Sequence, residues 1–363
     1  MSDRSISLPA ATATILLAGG KGTRLHELTA RESKPAVFFA GRNRIVDFAM
    51  ANVVRSGLDR LLVATQFAPD TLHRHLPAQW GRHFPAGGLV LRDGRGYYDG
   101  TADAVRRNWL QIQAWDAEQV LVLAADHIYE MDYAALIAAH RRSGAAVTIA
   151  ADVVPRAQAS GFGVMQTDAA GRLLDFLEKP AAPPPMPGQP DQALVSMGVY
   201  VLSAAWLRAR LFGDAARAAD FGHDLIPMAV ARGEAGSYRL PPAASGQVYW
   251  RDVGTLDALR RAHLDFLAGA PARLPHPAPA AEWSLGRGSL AMPGAHVPAS
   301  ARLSAAIVAP GAHVPHGLVV GEDPDEDARW FRRDGQTVLV TPEMLQRRDA
   351  CRARLHPLPR NVA

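Results

Sequence analysis

Residues 14–25 read TILLAGGKGTRL. The first four form an apolar run short enough for one buried strand, and Ala18-Gly19-Gly20 stops it. Gly19, Gly20 and Gly22 then stand where a strand gives way to a helical turn. Glycines there let backbone N–H groups approach an anion closely, and Lys21 and Arg24 add cations. The spacing is not that of a P-loop, which needs GxxxxGK[ST]. Nor is it the dinucleotide fingerprint, whose third glycine position is here Leu25. The run predicts a phosphate-facing loop at the end of a first strand, with a tight structural turn as the alternative.

Outward from this loop, short apolar runs recur at 61–65 (LLVAT), 120–125 (VLVLAA) and 147–154. Between them, 44–56, 101–115 and 133–143 carry apolar residues at helical spacing, with Thr101 as the expected N-cap of the second and Asp103 in its first turn. Strands alternating with helices predict an α/β fold with a doubly wound, mostly parallel sheet. After residue 160 the texture changes. Strands are expected at 163–167 and 173–177, flanking a turn over Asp168 to Arg172. The stretch 181–190 (AAPPPMPGQP) must be loop, 196–202 is a strand, and 255–267 an amphipathic helix capped by Thr255.

Residues 268–289 are rich in Pro, Ala and Gly and read as a linker. Beyond it Val297, Leu303, Val308, Val314 and Val320 fall at spacings of 6, 5, 6 and 6, which approximates about two coils of a hexapeptide β-helix. So few coils need neighbours to bury their faces, so they are expected to pack on the first domain or on another subunit. The division is 1–267 catalytic, 268–289 linker, 290–345 short β-helix and 346–363 tail.

The 363 residues suit two domains, and 48% hydrophobic with 20% charged residues exclude a disordered chain. A single cysteine, Cys351, excludes a disulfide framework and a Cys-rich zinc site, and suits a reducing compartment. The net charge of +4 comes from scattered arginines rather than one basic face, which speaks against a nucleic-acid partner. The basic stretch over the last 35 residues reads as a solvated helical tail. No apolar run reaches the roughly 18 residues that span a membrane, so no membrane partner and a cytoplasmic location are expected. His73, His75 and His83 lack supporting ligands, and no GxSxG elbow supports a serine hydrolase.

One count is informative. The 39 basic residues are 36 Arg and only 3 Lys: Lys21, Lys34 and Lys179. All three lie in dense motif-like runs, GGKGTRL, ESKPAV and FLEKP. Where arginine is the default, a retained lysine points to a compact ammonium for phosphate. Two carboxylates stand out as well. Asp126 follows the run 120–125, where ligands of open α/β sheets bind, and Asp252 sits in YWRDVGT. Each is either a Mg²⁺ ligand for phosphoryl transfer or a cap or turn former. Glu178 and Lys179 close a strand. Alternation sends them to opposite faces, so they need not pair; Glu178 can take sugar hydroxyls and Lys179 a phosphate, or both form an exposed edge pair.

Together these runs resemble the ADP-glucose pyrophosphorylases, the glucose-1-phosphate adenylyltransferases, over most of 14–267. The resemblance rests on LAGGKGTRL, SKPAVFFAGRNRIVDFAMAN, ATQF, YDGTADAV, LAADHIY, FGVMQTDAAGRLLDFLEKP, SMGVYV, DFGHDLIP and YWRDVGTLDA, in the family's order. GEDPDEDARWF and VLVTPEML also look like the family's C-terminal end. The resemblance implies a Rossmann-like nucleotidyltransferase domain followed by a left-handed β-helix. It implies transfer of the adenylyl group of ATP to α-D-glucose 1-phosphate with Mg²⁺, for α-glucan synthesis, by a homo-oligomer. Carried over, Leu17, Ala18, Gly19, Gly20, Lys21, Gly22, Gln66, Gly100 and Thr101 would hold the nucleotide. Arg24 and Lys34 would neutralise its phosphates in catalysis, and Asp126 and Asp252 would hold magnesium, Asp126 also acting in catalysis. Tyr98, Gly163, Glu178, Lys179 and Ser196 would line the sugar phosphate.

The chain departs from the family in places. The family's glutamine-bearing segment is shortened here to LVLRDGRG (89–96), which leaves the choice of base open. His223 stands where a basic residue is usual, Arg31-Glu32 reverses one charge in a region that often binds activators, and the β-helix is short. A relative using another nucleotide, or a non-catalytic regulatory subunit, is the alternative.

Overall fold

The structure is a computed structural model that describes residues 11–168, 171–241 and 248–355. The chain forms two compact units. One joins the chain through Lys21 to Phe48–Trp250; the other joins Gly22–Asp47 to the chain from Arg251 onward. The borders therefore fall inside the glycine loop and inside the YWRD run.

The first unit is built on one sheet. Its strands are β1 (Thr12–Ala18), β2 (Leu61–Thr65), β3 (Leu89–Asp93), β4 (Gln119–Ala124), β5 (Val147–Pro155), β6 (Gly163–Thr167), β7 (Leu173–Glu178), β8 (Gln192–Ser203) and β9 (Ala235–Arg239). The order is β7-β6-β8-β4-β1-β2-β3, with β5 on β8 and β9 on β5. One half matches the parallel expectation: β1 runs parallel to β2 and β4, and β2 to β3. The other half is mixed, because the long strand β8 runs antiparallel to β4, β5 and β6. The strand run 196–202 gave no sign of direction, which only the preceding loop and hairpin decide. β6 and β7 form the expected antiparallel hairpin around Asp168 and Arg172.

Why β1 is central follows from its composition: six of the seven residues TATILLA are buried, as befits a strand covered on both faces. The chain leaves β1 toward β2 on one side and returns to β4 on the other, so a topological switch point lies at its carboxyl end. The core on one side gathers Ile15, Leu62, Val122, Ile149, Leu202 and Phe221.

Helix 101–115 is broken in two, α1 (Thr101–Arg107) and α2 (Trp109–Ala114). Asn108 breaks it: its side-chain amide bonds the Ala104 carbonyl that the helix ladder would use, while its own N–H goes to Val105. Thr101 does not cap this helix. Its hydroxyl donates to Asp220 Oδ2 (2.8 Å) and accepts from the Phe221 N–H, while the N–H groups of Ala102 and Asp103 bond the Ala219 carbonyl.

The second unit holds α3 (Leu256–Leu267), capped by Thr255 as expected through the Ala258 N–H, and a ladder of short strands. These are β10 (Ser284–Gly286), β11 (Ser289–Ala291), β12 (Arg302–Leu303), β13 (Ala306–Val308) and β14 (Val319–Val320). Leu290 pairs with Ile307 and Arg302 with Val319, so one coil takes 17 residues; the single spacing of 5 in the apolar series removes one residue from an 18-residue turn. Later elements of the same unit pack on the coils. α4 (Pro324–Trp330), β15 (Arg332–Asp334), β16 (Thr337–Val340) and α5 (Pro342–Leu355) follow. Trp330, Phe331, Val340, Met344 and Leu345 pack on Leu303, Val308, Val314 and Val320. The C-terminal stretch is thus not simply a solvated tail, because α5 buries one face on the coils; residues 356–363 of the expected tail lie outside the described residues. The Pro-rich stretch after α3 is held in this unit: Asn43 exchanges two hydrogen bonds with the backbone of His276 (2.8 and 3.0 Å).

Candidate functional site

In the first unit the site residues gather at the carboxyl ends of the strands. Leu17 of β1 is in register with Ala124 of β4, so Gly19 and Asp126 emerge two residues further on, from neighbouring parallel strands at the switch point. Asp126 Oδ1 lies 3.5 Å from His127 Nε2, and the His127 ring packs edge-on against Trp250. Gly20 has open space around its Cα, while Gly19 makes room for Gln66: a Cβ there would meet Gln66 Cβ at 3.1 Å. Gln66 Nε2 donates to the Tyr98 carbonyl (2.8 Å), tying the loop after β2 to the loop after β3. Lys21 lies over the Phe67 ring, 5.1 Å from its centroid.

Tyr98 is half-buried. Its ring occupies the place of a side chain on Gly94, and its hydroxyl accepts from Asn108 Nδ2 (2.8 Å). Burial pushes its phenol pKa up despite that hydrogen bond. Gly100 has no room for a side chain, since a Cβ would meet the Ala219 carbonyl at 2.4 Å.

Glu178 and Lys179 do pair, at 2.8 Å. Alternation predicts opposite faces, but β7 ends at Glu178, and Lys179 takes a left-handed conformation (φ 47°), which turns its ammonium back. Glu178 is set between two glycines. A Cβ on Gly163 would lie 3.0 Å, and one on Gly222 2.6 Å, from its Oε2. Ser196 is buried at an irregularity in β8: its hydroxyl donates to the Tyr200 hydroxyl and accepts from the Gly198 N–H, both at 3.2 Å.

Sequence reasoning missed two features. Gly222 and Asp220 lie in the quoted DFGHDLIP run, but no local pattern ties them to Glu178 or to Thr101. Asp103 is fully buried on α1, where it accepts from the Asp99 N–H and from Arg106 and Arg107. Burial raises its pKa, and these bonds and charges outweigh burial and hold it below the ordinary carboxylate value.

In the second unit Lys34, Arg24 and Asp252 come together. Lys34 is buried, and its Nζ lies 2.6 Å from Asp252 Oδ1. Arg24 reaches Oδ2 of the same carboxylate at 3.7 Å. Two glycines permit this. Gly22 (φ 67°) has no side chain where the Lys34 stem passes, since a Cβ would be 2.5 Å from Lys34 Cβ; one on Gly254 would be 2.6 Å from Arg24 Nη2. Asp126 and Asp252 are both carboxylates, hard oxygen donors of the kind Mg²⁺ takes, with side chains 34% and 17% exposed and so open to an ion.

No helix among the described residues is long and apolar enough to cross a membrane. Residues 13–269 match the nucleotidyl transferase family, and residues 278–341 match the GlmU-like C-terminal hexapeptide family. Among curated proteins, the chain is 38% identical to a glucose-1-phosphate adenylyltransferase of Cereibacter sphaeroides (strain ATCC 17029 / ATH 2.4.9), over 94% of this chain and 97% of that protein. It is equally similar to those of Jannaschia sp. (strain CCS1), at 38% over 92% and 96%, and Granulibacter bethesdensis, at 38% over 94% and 98%.

Proposed function

This chain belongs to the glucose-1-phosphate adenylyltransferase family, and on that premise we propose how its residues divide the work. The enzyme is a nucleotidyltransferase that joins ATP and α-D-glucose 1-phosphate into ADP-glucose and pyrophosphate. The observation that supports this most is the placement of the glycine loop and Asp126 beyond the carboxyl ends of two neighbouring parallel strands.

In the proposed mechanism a phosphate oxygen of glucose 1-phosphate attacks the α-phosphorus of ATP in line, and pyrophosphate leaves. The attacking oxygen is ionised at neutral pH, so no strong general base is required. The protein positions both substrates and neutralises charge. Leu17 to Gly22, with Gln66, Gly100 and Thr101, hold the nucleotide; Arg24 and Lys34 meet its phosphates. Tyr98, Gly163, Glu178, Lys179 and Ser196 form the sugar-phosphate side, with Glu178 accepting from sugar hydroxyls beside its ion pair with Lys179. Ser196 already spends its hydroxyl on Tyr200 and Gly198, so it acts by shape and by backbone, whereas the Tyr98 hydroxyl only accepts from Asn108 and keeps its O–H to donate.

Enzymes of this kind use a divalent metal, and Asp126 and Asp252 are the residues that would hold Mg²⁺ here. The ion would supply charge neutralisation on the phosphate oxygens. The same proposal assigns catalysis to 1–267 and a short left-handed β-helix to 290–345, with a cytoplasmic homo-oligomer serving α-glucan synthesis.

The test is pyrophosphate release by the purified protein with glucose 1-phosphate and Mg²⁺, comparing ATP, UTP, dTTP, GTP and CTP. Turnover with ATP well above the rest is expected. Preference for another nucleotide would move the chain to a sister specificity, and silence with all five in folded protein would favour a regulatory subunit.

A further inference from the structure

We infer that the hairpin β15–β16 sets Arg24 against Asp252, so that Arg332 and Thr337 are positioning residues for the adenylyl transfer. This rests on the assignment of Arg24 to phosphate and of Asp252 to the metal made above.

The two site residues come from distant parts of the second unit. Arg24 lies in a short 3-10 stretch, Thr23–Thr29, kinked at His26 (φ 51°) and anchored by the buried Leu25 and Leu28. Asp252 lies just ahead of α3. Arg24 is 64% exposed and reaches Asp252 Oδ2 at 3.7 Å, so a small shift of either segment decides whether the two meet.

One hairpin grips both segments. Arg332 forks onto Glu27 of the Arg24 segment: Nη2 donates to Oε1 at 2.7 Å, and Nε lies 3.2 Å from Oε1 and 3.3 Å from Oε2. At the start of α3, Asp334 Oδ2 accepts from the Asp257 N–H at 3.2 Å, and the Thr337 hydroxyl donates to Asp257 Oδ1 at 2.9 Å. Buried Arg260 completes this second grip, donating to the Thr337 hydroxyl at 2.8 Å and to Asp257 Oδ1 at 3.3 Å.

Arg332 and Asp334 alternate onto the same face of β15, about 7 Å apart along the strand, and Asp334 pairs with Thr337 across the hairpin. The hairpin ladder therefore fixes the separation of the two grips, and with it that of the segments they hold. An ion pair as exposed as Arg332 and Glu27, at 46% and 32%, adds little to stability. What it supplies is placement, and moving a charge-neutralising group by about an ångström can cost up to about a hundredfold in rate.

The experiment is steady-state kinetics of the full-length protein with ATP, glucose 1-phosphate and Mg²⁺, alongside thermal unfolding. Arg332→Met should lower kcat about tenfold, with KM for glucose 1-phosphate and the melting temperature close to wild type. Glu27→Gln should do the same from the other side of the pair, and Arg332→Lys should recover part of the loss. In an Arg24→Met background, itself lowered in kcat, Arg332→Met should add no further loss, because no guanidinium is left to position. Thr337→Val should raise the Mg²⁺ concentration for half-maximal rate about tenfold, and Thr337→Ser, which keeps the hydroxyl, should match wild type.

Full kcat in Arg332→Met beside an impaired Arg24→Met overturns the inference while the phosphate assignment stands. An equal loss from Arg332→Met in both backgrounds overturns it too, since Arg332 then acts independently of Arg24. A wild-type Mg²⁺ requirement in Thr337→Val also overturns it, because a hairpin that holds one segment sets no spacing. If Arg24→Met keeps full turnover, the assignment of Arg24 falls and the inference with it.

Discussion

The ammonium of Lys34 lies 2.6 Å from Oδ1 of Asp252, a residue 218 positions further along the chain. The contact exists because Gly22 leaves room for the lysine stem. Gly22→Ala would put a Cβ 2.5 Å from Lys34 Cβ at a backbone position with φ 67°. We expect kcat/KM to fall at least about tenfold and stability to drop by roughly 1–2 kcal/mol. Steady-state kinetics and thermal unfolding measure both. Unchanged kinetics would mean that the position of Lys34 is unimportant to turnover.

Asp126 has a different character. Its side chain is 34% exposed at a strand end, so its charge serves the site more than the fold. Asp126→Asn should lower kcat by about two orders of magnitude or more with a melting temperature close to wild type. An unimpaired variant would remove Asp126 from the metal assignment.

On the sugar side, Glu178 fits between Gly163 and Gly222. Glu178→Ala should raise KM for glucose 1-phosphate about tenfold or more and leave KM for ATP nearly unchanged. Gly222→Ala, whose Cβ would press on Glu178 Oε2, should act in the same direction. An effect on ATP alone would place Glu178 on the wrong substrate.

The buried His263 makes stability depend on pH. It lies between Phe39 (ring centroids 4.1 Å apart) and Trp283, with Nδ1 on the Leu259 carbonyl. Burial lowers its pKa from 6.5 to about 4, against the opposing effect of that hydrogen bond. Between these values the unfolded chain takes up a proton that the folded chain refuses. The contribution is complete above pH 6.5 and is lost as pH falls toward 4, by up to about 1.4 kcal/mol per pH unit. Thermal unfolding at pH 7, 6, 5 and 4.5 checks this. His263→Leu should flatten the acid side of the profile, and an unaltered profile would assign the acid loss to other groups.

The sequence carried local information well and long-range pairing poorly. The strand before the glycine loop, the hairpin around Asp168 and the Thr255 cap were legible because each depends on a few adjacent residues. The 17-residue coil was already implied by one spacing of 5 among spacings of 6. What stayed hidden has one physical origin: partners far apart in the chain. No local pattern links Lys34 to Asp252 or Gly222 to Glu178, or shows that α5 covers the coils. Two misreadings were local. Asn108 interrupts a good helical period through a side-chain bond to Ala104. Lys179 leaves the extended backbone, so strand alternation does not reach its side chain.

The most direct test of the central claim is the reverse reaction. Purified protein given Mg²⁺, pyrophosphate and either ADP-glucose, UDP-glucose or dTDP-glucose should convert ADP-glucose into ATP and glucose 1-phosphate in equal amounts, and leave the other two largely intact. Consumption of UDP-glucose or dTDP-glucose in preference to ADP-glucose, or no nucleotide triphosphate from any of the three, would contradict it.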